Sequence, residues 1–176
     1  AQVPTVGTSW KKIIAGSSHT VAIRSNSTLW IWGGNSSGQI GDGSTINRSS
    51  PIQIGAERQY IDAGAGFAST YAIDNTGLLY VWGNNASGQL GDFTTVSRSS
   101  PVQVTAPVVS WTQVSGGYSH AMAIDSSGYL YAWGFNLDGR LGDATSVTKS
   151  APTFVSGDSW TAISAGNTFS LGLRGN

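Results

Sequence analysis

Two histidines, His19 and His120, and three repeated aspartates, Asp42, Asp92 and Asp143, are the residues whose types and spacing could do chemistry. A general base or a metal ligand needs a partner placed beside the imidazole. The two histidines instead occupy one position of a repeated unit, where the other units carry Ser69 and Phe169. Equivalent positions point alike from separate units, so each histidine is expected to be hydrogen-bonded within its own unit. A catalytic carboxylate pair needs two acids roughly 5 to 10 Å apart across one substrate, and one acid per unit does not supply it. Calcium loops carry alternating acids, which the segments from Asn35 to Gly38 and from Asn136 to Gly139 lack. Each aspartate follows a glycine and is expected to accept backbone N–H bonds that organise its loop. Neither a glycine-rich phosphate or dinucleotide loop nor a Gly-x-Ser-x-Gly elbow occurs. The sequence therefore predicts no catalytic residue, no metal, no cofactor and no enzyme.

Recognition is the chemistry that remains. Function tends to lie where a repeat departs from its own consensus. Phe93, Phe135, Tyr118, Phe67, Arg140 and Arg58 are such departures, and aromatic and arginine side chains are the usual anchors of interfaces. These six are the candidate partner-binding residues.

A regular beat must position them. Trp32-Gly33, Trp82-Gly83 and Trp133-Gly134 recur at steps of 50 and 51 residues. Each pair is followed by a Gly-x-x-Gly-Asp segment: Gly38 to Asp42, Gly88 to Asp92, Gly139 to Asp143. A proline and a short alternating run close each unit, beginning at Pro51, Pro101 and Pro152. Upstream stand an aromatic and a small-residue pair: Trp10 with Ala15-Gly16, Tyr60 with Ala65-Gly66, Trp111 with Gly116-Gly117, Trp160 with Ala165-Gly166. The chain reads as a single domain, 1–176, with repeats 7–55, 56–106, 107–157 and a partial one over 158–176. Trp32, Trp82 and Trp133 are expected to be wedges between units, and Gly41, Gly91 and Gly142 to be structural.

Apolar residues follow a period of two, interrupted by Gly, Asn, Asp and Ser clusters, which predicts an all-β chain. In unit two the predicted strands are 60–65, 69–73, 78–82 and 101–104. A turn is predicted at Asp74 to Gly77 and a long loop over 83–100. Unit three repeats the turn at Asp125 to Gly128, and unit one is expected to use Ser25 to Thr28. Four short antiparallel strands per roughly 50 residues make a β-propeller blade. The Ala-Gly strand is expected innermost, where little room is left. The strand that opens on proline is expected at the edge, where a missing donor is harmless.

Charged residues are 10% of the chain and net charge is zero, with no basic run. A phosphate-reading surface for nucleic acid or an anionic membrane is disfavoured. Cysteine is absent, which removes disulfides and thiolate metal sites. No apolar stretch approaches a membrane span, so membrane insertion is not expected. Low charge with many Ser, Thr, Gly and Asn residues leans towards an extracellular or virion surface.

The residues Trp10, Ile13, Ala15, Gly16, His19, Thr20, Ala22 and Ile23, then Trp32, Gly33, Asn35, Gly38, Gln39, Gly41 and Asp42, closely resemble the regulator of chromosome condensation repeat. The resemblance recurs in register three times and covers almost the whole chain. It implies a propeller, commonly seven-bladed, of which this chain would be half, three and a half blades. It implies much less about activity. The remaining blades would come from a second copy joined head to tail, from another chain, or from the rest of a longer one. A homodimer closing a seven-bladed ring is the expectation carried forward.

The expected function is a non-enzymatic interaction or structural module, whose propeller loops hold a macromolecular partner. A surface or virion assembly component is a related version. One alternative is a lectin-like propeller that stacks glycans on its aromatic rings. The other is a guanine-nucleotide exchange regulator, which the resemblance alone suggests.

Overall fold

A computed structural model of the chain describes residues 9–105 and 110–175. Residues 1–7, whose sequence resembles the tail of a last strand, lie outside them. Every regular element described is a strand. The first blade holds β1 (Trp10–Ala15), β2 (His19–Arg24), β3 (Leu29–Gly33) and β4 (Arg48–Ile54). The second holds β5 (Tyr60–Ala65), β6 (Ser69–Asp74), β7 (Leu79–Gly83) and β8 (Arg98–Gln103). The third holds β9 (Trp111–Gly116), β10 (His120–Asp125), β11 (Leu130–Gly134) and β12 (Lys149–Ser156). The last pair is β13 (Trp160–Ala165) and β14 (Ser170–Arg174). Each group is an antiparallel meander in which sequence neighbours pair.

The core lies between blades. Val21, Ile23, Leu29, Ile31, Ile40 and Ile54 of blade one pack against Tyr60, Ala63, Ala65, Ala72, Tyr80 and Trp82 of blade two. The same arrangement recurs between blades two and three around Trp111 and Trp133, and again between blade three and β13–β14. A single 50-residue unit buries too little on its own, so stability comes from stacking. The Ala-Gly strands β1, β5, β9 and β13 face one another across blades, and only small residues fit there. A Cβ added to Gly116 would stand 2.8 Å from the Gly66 nitrogen.

Two local details differ from the sequence expectation. The outer strands begin before their prolines: β8 starts at Arg98, so Pro101 is internal to it, as Pro51 is to β4. Between its pairings with Gly33 and Ile31, β4 places three residues, Ser49 to Pro51, against one, Trp32, on β3. Pro51 sits in that bulge on an edge strand and withholds no ladder hydrogen bond. The first hairpin turn also starts one residue early, at Arg24, whose carbonyl accepts the Ser27 N–H at 2.9 Å. Ser27 takes the left-handed conformation (φ 64°) that Gly77 (φ 87°) and Gly128 (φ 80°) hold in the other blades. Asp74 braces its own turn by accepting the Thr76 and Leu78 N–H groups at 2.9 and 3.0 Å. Arg24 cannot do so, and Asn26 takes over through the Thr28 hydroxyl at 2.7 Å.

Candidate recognition face

Strand direction assigns every loop to one of two faces. Turns from the first to the second strand and loops from the third to the fourth share one face, here the upper. Hairpins from the second to the third strand and connections between blades share the lower.

The long upper loops are built from a buried asparagine and the repeated aspartate. The Asn35 amide donates to the carbonyls of Ser44 and Ile46, both at 3.0 Å, and its oxygen accepts the Ile40 N–H at 2.8 Å. Asp42 accepts the Ser44 N–H at 3.0 Å and the Arg48 Nε–H at 2.7 Å. Burial pushes its carboxyl pKa up, but the Ser44 and Arg48 hydrogen bonds outweigh that and hold it below the usual value. Asn85 with Asp92 and Asn136 with Asp143 repeat the arrangement. Lys149 stands 3.9 Å from Asp143 where the other blades use arginine. These carboxylates are saturated by their own loops, and no group of three or more metal-ligating side chains occurs among the described residues.

The tryptophans join that loop to the next blade. Trp82 Nε1–H donates to the Gln39 carbonyl at 3.0 Å, and Trp133 to that of Gln89 at 2.8 Å. Gly41 and Gly91 lie flush on these indoles. A Cβ there would come within 2.6 and 2.7 Å of the ring nitrogens.

The histidines correct the expectation of bonding within a blade, because both reach across to the next one. His19 Nε2 meets the Thr70 hydroxyl at 2.9 Å, and that hydroxyl donates to the Gln39 carbonyl at 2.7 Å. A hydroxyl has one proton, so Thr70 must accept from His19, which fixes the Nε2–H tautomer. His120, Ser170 and the Arg140 carbonyl repeat the relay at 3.0 and 2.7 Å. Blade three has Ala121 where blade two has Thr70, so the second interface is served by Tyr71, whose hydroxyl donates to the Gln89 carbonyl at 2.9 Å. Burial lowers the pKa of both histidines to about 4. The nearby Arg140 charge adds to the effect at His120.

Of the six candidate partner-binding residues, two come together. Phe67 and Tyr118 both follow an inner-strand glycine, and their ring centroids stand 4.4 Å apart on the upper face close to the axis. They are 45% and 49% exposed. Beside them runs a groove of about 430 Å³ lined by Ser18, Gln39, Asn84, Gln89 and Ser119 among others. Every side-chain polar group along it is a hydroxyl or a carboxamide.

The other four candidates are dispersed. Phe93 is exposed on the upper face at the outer rim, where its N–H donates to the Ser150 carbonyl of the next blade. Phe135 is half-buried beneath the Arg140 guanidinium, which sits 4.9 Å from its ring. Arg140 itself is only 8% exposed. It is held by Asp138 at 2.7 and 2.6 Å and by the Asn167 carbonyl at 3.1 Å. Arg58 lies on the lower face, paired with Glu57 and stacked 4.5 Å from the Tyr80 ring, away from the aromatic pair.

Sequence inspection passed over Gln39, Gln89 and Asn84 in the groove, and Thr70, Tyr71 and Ser170 in the relays. A signal existed for the relays: a hydroxyl stands at position 70 or 170 when the preceding unit has histidine, 51 or 50 residues earlier.

Models described as the regulator of chromosome condensation (RCC1) repeat match residues 26–73, 76–124 and 127–173, and, in a second form, 10–39, 60–89 and 111–140. The ultraviolet-B receptor UVR8 of Arabidopsis thaliana is 32% identical over 149 residues, 82% of this chain and 34% of its own. The chain thus spans about a third of that relative. Among solved structures, Prp20p from Saccharomyces cerevisiae superposes with a TM-score of 0.81 at 20% identity, over 95% of this chain and 44% of its own. Human WBSCR16 superposes with a TM-score of 0.71 at 16% identity, over 94% and 57%. At these identities the likeness to the structures shows the fold alone.

Proposed function

Because the chain belongs to the regulator of chromosome condensation (RCC1) repeat family, we propose that it is a non-enzymatic propeller scaffold holding a macromolecular partner on its upper face. One observation carries this: Phe67 and Tyr118 stack in the open beside an uncharged groove. The fold does not need either ring. At both positions the backbone does the bridging, with Phe67 N–H donating to the Gly117 carbonyl at 3.1 Å and Tyr118 N–H to that of Gly166 at 3.3 Å. Blades one and four carry Ser17 and Asn167 there. Exposed aromatics that packing does not require are the usual anchors of binding. The binding properties of Prp20p to Gsp1p and histones are in keeping with a binding role.

The test is to screen the chain against a displayed random-peptide library and an oligosaccharide array. Binders are then retested with Phe67→Ala/Tyr118→Ala, and with Phe93→Ala as a control. Loss with the double variant and retention with the control supports the face. Binders indifferent to the double variant sink it.

A second proposal is self-association, favoured by a contrast between blades. Trp10 and Ile13 are 37% and 59% exposed where Tyr60 and Ala63 are sealed by the preceding blade. A second copy covering that face would seal it as the internal interfaces are sealed. Sedimentation equilibrium decides: a mass fixed at 18.2 kDa at all concentrations excludes it.

A further inference from the structure

Resting on the proposal that the upper face is the binding face, we propose that its occupant is a neutral oligosaccharide. The groove contains no acid, no base and no imidazole among its lining residues. A phosphate or carboxylate ligand would call for arginine or lysine, and an ammonium ligand for a carboxylate. Arg140, which donates to the Ser119 hydroxyl at the groove wall at 3.2 Å, is neutralised by Asp138 through two hydrogen bonds of 2.7 and 2.6 Å.

What the groove offers is serine hydroxyls and side-chain amides, groups that donate and accept at one place. Sugar hydroxyls have the same double character. Two of the amides are spent on one side only. Asn84 Oδ1 accepts from Gln89 Nε2 at 2.7 Å and from Ala86 N–H at 3.1 Å, while its Nδ2 makes no hydrogen bond among the described residues. Gln39 Oε1 accepts the Ser37 N–H at 2.8 Å, and its Nε2 is likewise unengaged among them.

The aromatic pair supplies the remaining element. Its rings stack with centroids 4.4 Å apart at 37° and are about half exposed, so an outer ring face is left as an open plate. A flat π surface against the apolar C–H face of a pyranose, with amides and hydroxyls beside it, matches a sugar on both of its aspects. The groove volume of about 430 Å³ lies within the range of small-ligand sites.

The test is an array of neutral, sialylated and sulfated oligosaccharides, with hits titrated by calorimetry. Neutral members should bind, with affinity unchanged between about 50 and 500 mM NaCl because no ion pair is involved. Phe67→Ala and Tyr118→Ala, both surface changes checked by circular dichroism, should each weaken binding at least about fivefold. Tyr118→Phe keeps the plate and should stay within about twofold, and Asn84→Asp, which keeps both acceptor bonds and removes the Nδ2 donors, should weaken binding. Binding confined to acidic glycans, or to none, overturns the inference. If displayed peptides bind and depend on Phe67 and Tyr118 while neutral glycans do not, the sugar assignment fails and the face stands. If every binder is indifferent to those two residues, both fail.

Discussion

His19 of the first blade donates to the Thr70 hydroxyl of the second at 2.9 Å, and Thr70 passes the bond on to the Gln39 carbonyl, which also caps Trp82. One carbonyl thus ties an imidazole, a hydroxyl and an indole into a buried seam between blades. Thr70→Val keeps the shape and strands the His19 Nε2–H, a loss of about 2 kcal/mol. His19→Phe, the residue type found at Phe169, removes the donor. The double variant should cost less than the sum of the two, by about 1 kcal/mol, in urea unfolding cycles. Strict additivity would mean that the two side chains do not interact.

Acid should act on the same seam. The histidines titrate near 6.5 in the unfolded chain and at about 4 in the fold. As pH falls from 6.5, the unfolded chain takes up protons first, so stability is full above 6.5 and drains until about 4. The loss is about 3 kcal/mol per histidine. Asp42, Asp92 and Asp143, held below the usual carboxylate range, should remove more only at still lower pH. Replacing both histidines by glutamine should flatten the upper phase and leave the lower one, as read by urea midpoints at a series of pH values.

Gly91 and Gly142 share a backbone conformation (φ 71° and 72°) and differ in what lies over them. An alanine at either pays about 1 to 2 kcal/mol for the left-handed region. At Gly91 the new methyl would also enter the Trp133 indole, 2.7 Å from its nitrogen, whereas at Gly142 the nearest atom is 3.7 Å away, on Val155. Gly91→Ala should therefore destabilise by about 1 to 3 kcal/mol more than Gly142→Ala. Equal thermal shifts would show that the socket does not clash.

Asn85→Asp is nearly isosteric and should still be severe. The Asn85 amide donates to Asp92 at 2.9 Å and to the carbonyls of Thr94 and Val96 at 3.0 and 3.1 Å. A carboxylate there would face three oxygens with no proton to give. The cost should be on the order of 3 kcal/mol at neutral pH, measured by chemical unfolding. A change below 1 kcal/mol would mean that the loop rearranges freely around this position.

The sequence alone determined the unit and its register. The 50-residue beat, the hairpin glycines and the small inner-strand residues each impose a local geometry: a turn needs positive φ at Gly77, and a crowded axis admits only Ala and Gly. The loop aspartates were legible for the same reason, since their partners lie within a few residues. Contacts between units were not. His19 and Thr70 are 51 residues apart, and so are Phe67 and Tyr118. In a repeat, a fixed offset does not reveal whether two positions point alike from separate blades or meet across the gap between them. The stacking of one sheet on the next decides that, and it sent the histidines across the seam, turned Arg140 inward to Asp138 and Asn167, and left Arg58 on the opposite face. The same stacking brought Phe67 and Tyr118, two aromatics of one repeat position, against each other in the open, a contact between blades that local sequence has no means to specify.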